Sequence, residues 1–436
     1  MKTTVLPCAL LLAPAVAGAQ AASVPPTLQA DAEEFFVYTQ PMLEVMRIRD
    51  GFLRQNPANR FVHARTLADD KARAVTAPNN DTIYSSAFID LRGGPVTITV
   101  PETGKRYFSL ALLDTWTNNI AYFGTRATGG RAVTFTLVGP GAQPPAGAAR
   151  VVRSPTAWVW AIGRTLVSGV DDLPAGRAVQ DGLVISGGTA GPVPPATPAR
   201  SAPAAELHAA ALRLMVDNPP LPADAAEIAR FRRAGLDRPI APGDPRIEAL
   251  SQGFATARRP TGGAPIDGRV VDGWIYPKRG LGNFGTDYRY RAKVSVGGIG
   301  ALERAEAMYL SAVGPNPPGL FDGAKRYRIH FARGSEPPVN SFWSLTLYER
   351  TEDGRFFLVP NPINRFSFGD RTAGTKRNAD GSFDIWISHD DPGADKSANW
   401  LPAPAGPFTL TLRTYLPKPE LTEERWRAPA VEEVAP

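Results

Sequence analysis

Residues 79–100 read NNDTIYSSAFIDLRGGPVTITV. Asn79, Asn80 and Asp81 favour a turn, because their side chains bond their own backbone. The run Tyr84–Leu91 then carries hydroxyl, aliphatic and aromatic residues of strand type, Gly93-Gly94-Pro95 closes it, and Val96–Val100 alternates with period two. Turn, strand, turn, strand within one short segment is the pattern of antiparallel β structure. Further runs at Tyr107–Asp114, Val133–Val138 and Ala157–Leu166 are separated by Pro-Glu-Thr-Gly and Gly-Pro-Gly turns, a spacing that suits a sandwich.

Outward from this segment the pattern changes. Upstream, Leu28 to Arg49 has apolar residues at helical spacing, with Pro41 placed to kink or split the helix. Residues 28–185 therefore read as an N-terminal β domain with leading helices. Residues 186–203 hold five prolines and almost no charge, the composition of an extended, solvent-facing linker or loop. Helical patterns follow at about 204–216, 222–234 and 245–258, so that 204–260 forms a helical segment. A second β domain spans 265–428, with strands at Ala307–Ala312, Arg326–Phe331, Phe342–Tyr348, Ser382–Ser388 and Phe408–Tyr415. One helix at about 286–298 interrupts it, and the polar tail beyond Pro417 reads as frayed. The fold class is mainly β with helical additions (α+β): two β-sandwich domains joined by a helical segment.

The first residues run from Lys2 through an apolar stretch to Ala19-Gln20-Ala21, in the order of a signal peptide cleaved after residue 21. That stretch is shorter than the roughly 20 residues a bilayer requires. Export to the periplasm or exterior is the expectation, with no membrane-spanning segment in the mature chain. Cys8 is the only cysteine, so the mature chain lacks disulfides and thiolate chemistry. Lys and Arg are interspersed with Asp and Glu, and a net charge of +6 over 436 residues argues against a nucleic-acid partner.

No G-x-S-x-G elbow, S-x-x-K pair or H-E-x-x-H site occurs. Gly280–Gly285 spells G-x-G-x-x-G, but Pro277, Lys278 and Arg279 separate it from the preceding strand, and it reads as a glycine-rich loop entering a helix. Four polar clusters remain. Around Asn79, Asn80, Asp81 and Tyr84, carboxamides, a carboxylate and hydroxyls exceed what one turn needs. Asp114 and Trp116 end another strand, and if the two strands are neighbours Asp81 and Asp114 could share one rim. Asn364, Arg365 and Asp370 form a third cluster, in which an arginine fork could hold a carboxylate or phosphate. His389 to Trp400 forms the fourth, with a proton carrier and an indole face for a sugar.

The runs PNNDTIYSSAFIDL and GPVTITVPETGKRYFSLALLDTWTNN resemble the DUF1254 family. FWSLTLYE, FLVPNPINRFSFGDRT and HDDPGADKSANWLPAPAGPFTLTLR resemble the DUF1214 family that commonly follows it. The resemblance implies two jelly-roll-like sandwiches with appended helices in an exported bacterial protein, and it implies no catalytic residue.

Two functions stay open. One is an envelope hydrolase-like enzyme acting on a polar or carbohydrate-like substrate, with Asp81, Asp114 and His389 catalytic. Asn79, Asn80, Tyr84, Trp116, Asn364, Arg365, Asp370 and Trp400 would then bind substrate. The other is a non-catalytic module for a small-molecule or glycan ligand, or for assembly, in which the same groups fix loops. No cofactor is identified, although the Asp and Asn oxygens could hold a divalent cation.

Overall fold

The computed structural model describes residues 26–73, 76–148, 150–258, 267–352 and 354–435. The expected signal peptide and Cys8 lie outside the described residues.

The N-terminal sandwich is built from β1 (Val62–His63), β2 (Thr82–Asp90), β3 (Val96–Val100), β4 (Phe108–Leu113), β5 (Asn119–Gly124), β6 (Val133–Val138), β7 (Val151–Arg153), β8 (Trp158–Leu166) and β9 (Val184–Gly187). A five-stranded sheet, β1-β2-β8-β4-β5, packs on a four-stranded sheet, β7-β6-β3-β9. Period-two alternation explains the packing: Ala87, Ile89, Leu110, Leu112, Val159 and Ala161 of the first sheet meet Val96, Ile98, Phe135 and Leu137 of the second.

The C-terminal sandwich comprises β10 (Gly268–Val271), β11 (Trp274–Pro277), β12 (Ala307–Ala312), β13 (Phe321–Asp322), β14 (Arg326–Phe331), β15 (Trp343–Arg350), β16 (Phe356–Phe357), β17 (Ser367–Gly369), β18 (Phe383–Ser388), β19 (Trp400–Pro402), β20 (Pro407–Tyr415) and β21 (Val431–Val434). Its large sheet runs β10-β11-β12-β20-β15-β16, with β13 on β20 and β17 on β15; the facing sheet runs β19-β18-β14-β21. Met308, Leu310, Leu345, Leu347, Leu410 and Leu412 fill the core from one side, Tyr327, Ile329, Ile385 and Ile387 from the other.

Helices Ala204–Asp217, Ala225–Arg233, Arg246–Ala257 and Tyr288–Gly297 surround the helix Pro26–Leu53. Phe35, Tyr38, Met42, Leu207, Phe231 and Phe254 bury together with Phe88, Trp116 and Trp158, so this helical layer covers one end of the outer face of the five-stranded sheet. The Pro-rich segment lies along the helical layer, tied by Arg47 Nε to Pro198 O at 2.7 Å and by Thr197 N–H to Asp50 Oδ2 at 2.6 Å.

Of the two alternatives at Pro41 the split does not occur: helix Pro26–Leu53 continues through the proline, with buried residues on both sides docking it against its neighbours. One expectation is corrected. The tail is not frayed: Val431–Val434 adds to the edge strand β14, opposite Arg326–Ile329.

Candidate functional site

β2 and β4 both pair antiparallel with β8 and so run parallel to each other. Thr82, at the start of β2, lies opposite Leu166, whereas Leu113, at the end of β4, lies opposite Trp160. Asp81 and Asp114 therefore flank opposite ends of the sheet, separated along the strands by about 26 Å at roughly 3.3 Å per residue. The shared rim that their motifs suggested is absent, because one motif begins its strand and the other ends one.

Each polar cluster has its own local role. Asp114 is buried and accepts Asn118 N–H at 2.9 Å and Asn118 Nδ2 at 3.0 Å, closing the β4–β5 turn; burial pushes its carboxyl up to about 6. Trp116 is buried beside Tyr38 and donates to Pro219 O at 3.1 Å. Arg365 reaches three carbonyls, of Ser397, Ala398 and Trp400. Trp400 is buried and donates to Ser388 O at 2.9 Å. Asn364, exposed at φ 49°, shapes its own turn, and exposed Asp370 accepts Trp343 N–H at 3.4 Å. His389 is exposed, with Nδ1 3.0 Å from Ala403 O. The structure joins Arg365 to Trp400 in one loop staple and brings neither to Asp81 or Asp114. Among the described residues no group of three His, Cys, Asp or Glu side chains could hold a metal ion.

The Asn79–Tyr84 cluster behaves differently, because it spans both sandwiches. Asp81 is buried; its Oδ2 accepts from Ser344 Oγ and its Oδ1 from Arg371 Nη2, both at 2.6 Å. Asn79 Nδ2 donates to Tyr415 Oη at 2.8 Å while its Oδ1 accepts Asp81 N–H, and Tyr348 Oη donates to Pro78 O at 2.8 Å. Asn80, partly buried, donates to Ala68 O. These bonds stitch the loop before β2 to the outer face of the large C-terminal sheet.

Register decides what else lies there. On β8 the side chains of Trp160, Ile162 and Arg164 point away from the N-terminal core, and Arg164 pairs with Tyr84 of β2 and Ser109 of β4. On β20, Arg413 and Tyr415 point away from the C-terminal core, and Arg413 pairs with Tyr309 of β12 and Ser344 of β15. The two rows face each other: the rings of Tyr107 and Tyr415 meet at 5.2 Å, and Tyr107 donates to Glu306 at 3.0 Å. The Arg413 guanidinium lies 5.4 Å from the ring centroids of both Tyr309 and Tyr348, and that of Arg164 lies 5.4 Å from Tyr84. Burial pushes the Tyr348 phenol up to about 12 and raises those of Tyr107, Tyr309 and Tyr415, so all four act as protonated donors at neutral pH.

The arginines are 6% and 5% exposed respectively. Arg164 donates from Nη2 to Gly300 O at 3.0 Å and Arg413 from Nη2 to Ala77 O at 3.2 Å, but Nε and Nη1 of both find no hydrogen-bond partner. Ser109 Oγ, in the same row as Arg164, is also buried without a partner. Neither arginine belonged to the motifs read from the sequence. The available signal was a cation inside an otherwise apolar or alternating strand, WVWAIGRTL and TLTLRTY.

Comparison with known proteins matches residues 58–187 to Protein of unknown function (DUF1254) and residues 306–419 to Protein of unknown function (DUF1214). The chain belongs to the DUF1254/DUF1214 proteins. The crystal structure of the VPA0106 protein from Vibrio parahaemolyticus is similar at a TM-score of 0.71 and 20% identity, covering 94% of this chain and 100% of that one. A putative uncharacterized protein from Burkholderia cenocepacia covers 94% of both chains at 15% identity, with a TM-score of 0.44. No curated protein matches. The first of these likenesses shows that the fold recurs. Within this DUF1254/DUF1214 chain, Tyr84 and Arg164 fall in one matched region and Tyr309, Arg413 and Tyr415 in the other, so the polar layer lies where the two meet.

Proposed function

We propose that the protein is a binding protein whose two sandwiches hold a small polar ligand between them. The observation that carries this reading is the polar layer itself. Buried donors without partners cost about 1–3 kcal/mol each, and more when charged. Here two guanidinium groups and the Ser109 hydroxyl leave such donors together, beside half-buried Tyr84 and Tyr309 at its margin. Asp114, Arg365, His389 and Trp400 instead direct their polar atoms to their own loops, which offers a hydrolase no common centre.

Export through residues 1–21 would place this binding in the periplasm or outside the cell. A thermal-shift screen of the mature chain against small polar molecules and glycans, repeated on Tyr309→Ala, tests the reading. Ligands that raise Tm in the wild type and not in the variant support it. Ligands that shift both equally bind elsewhere, which would falsify it.

A further inference from the structure

We infer that the ligand held between the sandwiches is an organic oxyanion, gripped by Arg164 from the N-terminal sheet and Arg413 from the C-terminal sheet. This rests on the binding reading above and adds the chemical class.

The argument begins with charge. The fully buried carboxylates of the layer are Asp81 and Glu306, 2% exposed each, and both are already paired, with Arg371 and Arg126 at 2.6 Å. Arg164 and Arg413 have no ion pair among the described residues; Asp81 acts on Arg413 from a distance but is itself held by Arg371. A buried charge is tolerated when paired and strongly disfavoured when it is not. Of the other buried arginines, Arg49 holds Asp50 at 2.7 Å and Arg304 holds Glu424 at 3.1 Å, whereas Arg291 likewise lacks an ion pair and gives Nη2 to Gly285 O at 2.6 Å; Arg164 and Arg413 are set apart by lying in one layer between the sandwiches.

Geometry then selects the partner. On each guanidinium the free Nε and Nη1 lie on different edges and share Nη2 as their neighbour, so an oxyanion would take a charge-assisted bond from one of these nitrogens on each arginine, a role that a carboxylate or phosphoryl oxygen fills. The phenol groups of Tyr309 and Tyr415, 3.5 Å apart, lie within electrostatic reach of both arginines, so one anion between them would draw on nitrogens of both guanidinium groups. The rings of Tyr84, Tyr309 and Tyr348 flank the guanidinium groups and offer apolar faces to the rest of an organic molecule.

The experiment uses the mature chain in a buffer without carboxylate or phosphate, and titrates benzoate, phenyl phosphate and neutral benzamide by calorimetry at low and high salt. At least one anion binds, more weakly as salt rises, and benzamide does not. Whichever of benzoate and phenyl phosphate binds more tightly assigns the oxyanion. Arg164→Met and Arg413→Met each weaken that binding on the order of 30-fold. Because each variant also removes a buried charge without an ion pair, the Tm of the unliganded protein stays level or rises, whereas an arginine kept for structure would lower it.

Absence of anion binding, or binding unchanged in both variants, overturns the inference. If neutral ligands from the thermal-shift screen depend on Tyr309 but not on the arginines, the site stands and the oxyanion does not. Should ligands of either kind ignore Tyr309 as well as the arginines, the site reading itself fails.

Discussion

Arg371 Nη2 and Asp81 Oδ1 meet at 2.6 Å across the two sandwiches, with the carboxylate 2% exposed and the guanidinium stacked 4.4 Å over the ring of Phe342. Ser344 Oγ holds the other oxygen, so Asp81 is fixed from β15 and from the turn after β17. Removing one member of a buried pair leaves the other uncompensated, at about 3–5 kcal/mol. Arg371 keeps a quarter of its side chain in water, which places Asp81→Asn near the lower limit. The double-mutant cycle with Arg371→Met, followed by urea unfolding, should give a coupling of about 1–3 kcal/mol. A coupling near zero would mean that the contact does not help hold the sandwiches together.

Asp114 gives a pH dependence of known sign. Its carboxyl titrates at about 6 in the folded chain, mainly through burial, against 3.8 for an ordinary one. Between these values the folded state holds a proton that the unfolded state has released. This group therefore makes stability fall as pH rises through the window, with its penalty complete above about pH 6. The shift corresponds to on the order of 3 kcal/mol. Subtracting the Asp114→Asn stability profile from that of the wild type should leave a curve descending from about pH 4 to pH 6. A flat difference curve would show that the folded carboxyl is not shifted.

His389 and Arg365 separate the two functional readings. His389 is exposed and its Nδ1 lies against a backbone carbonyl, so His389→Asn should leave Tm and ligand binding unchanged. Arg365→Ala removes three carbonyl contacts from the loop at 397–400 and should cost about 1–3 kcal/mol while increasing amide exchange there. Loss of function in His389→Asn at unchanged Tm would restore the enzymatic reading.

Strand positions were legible wherever alternation was clean: Val96–Val100, Val133–Val138, Ala307–Ala312 and Arg326–Phe331 coincide with β3, β6, β12 and β14. Strands that depend on a partner were not. Asn119–Gly124 opens with a residue suited to turns, and its ordering draws on Asn119, which bonds Gly282 O through both N–H and Nδ2 at 2.9 Å. Val431–Val434 has two glutamates in four residues and becomes a strand because β14 presents an open edge. The candidate site was half legible. Asn79, Asp81 and Tyr84 announce themselves as a polar run, while Arg164 and Arg413 are single residues on strands far apart in the chain. Their meeting is a property of how the sandwiches dock, which local periodicity does not encode.

Gly253 tests the docking of the helical layer by the same logic of close approach. It lies in helix Arg246–Ala257, where it faces helix Pro26–Leu53, and a Cβ placed there would sit 2.6 Å from Glu33 N and 2.7 Å from Gln29 O. These are backbone atoms and cannot swing aside, so Gly253→Ala must push the helices apart. Intrinsic propensity pulls the other way, since alanine is favoured over glycine in a helix interior by about 1 kcal/mol. Overpacking of this kind costs about 1–3 kcal/mol, and the clash should win. Gly253→Ala is therefore expected to lower Tm and to expose Phe36 and Phe254, whose rings lie 4.5 Å apart beside the contact, to faster exchange of their neighbouring amides. A raised Tm would mean that the helices can separate without loss and that propensity alone governs the position.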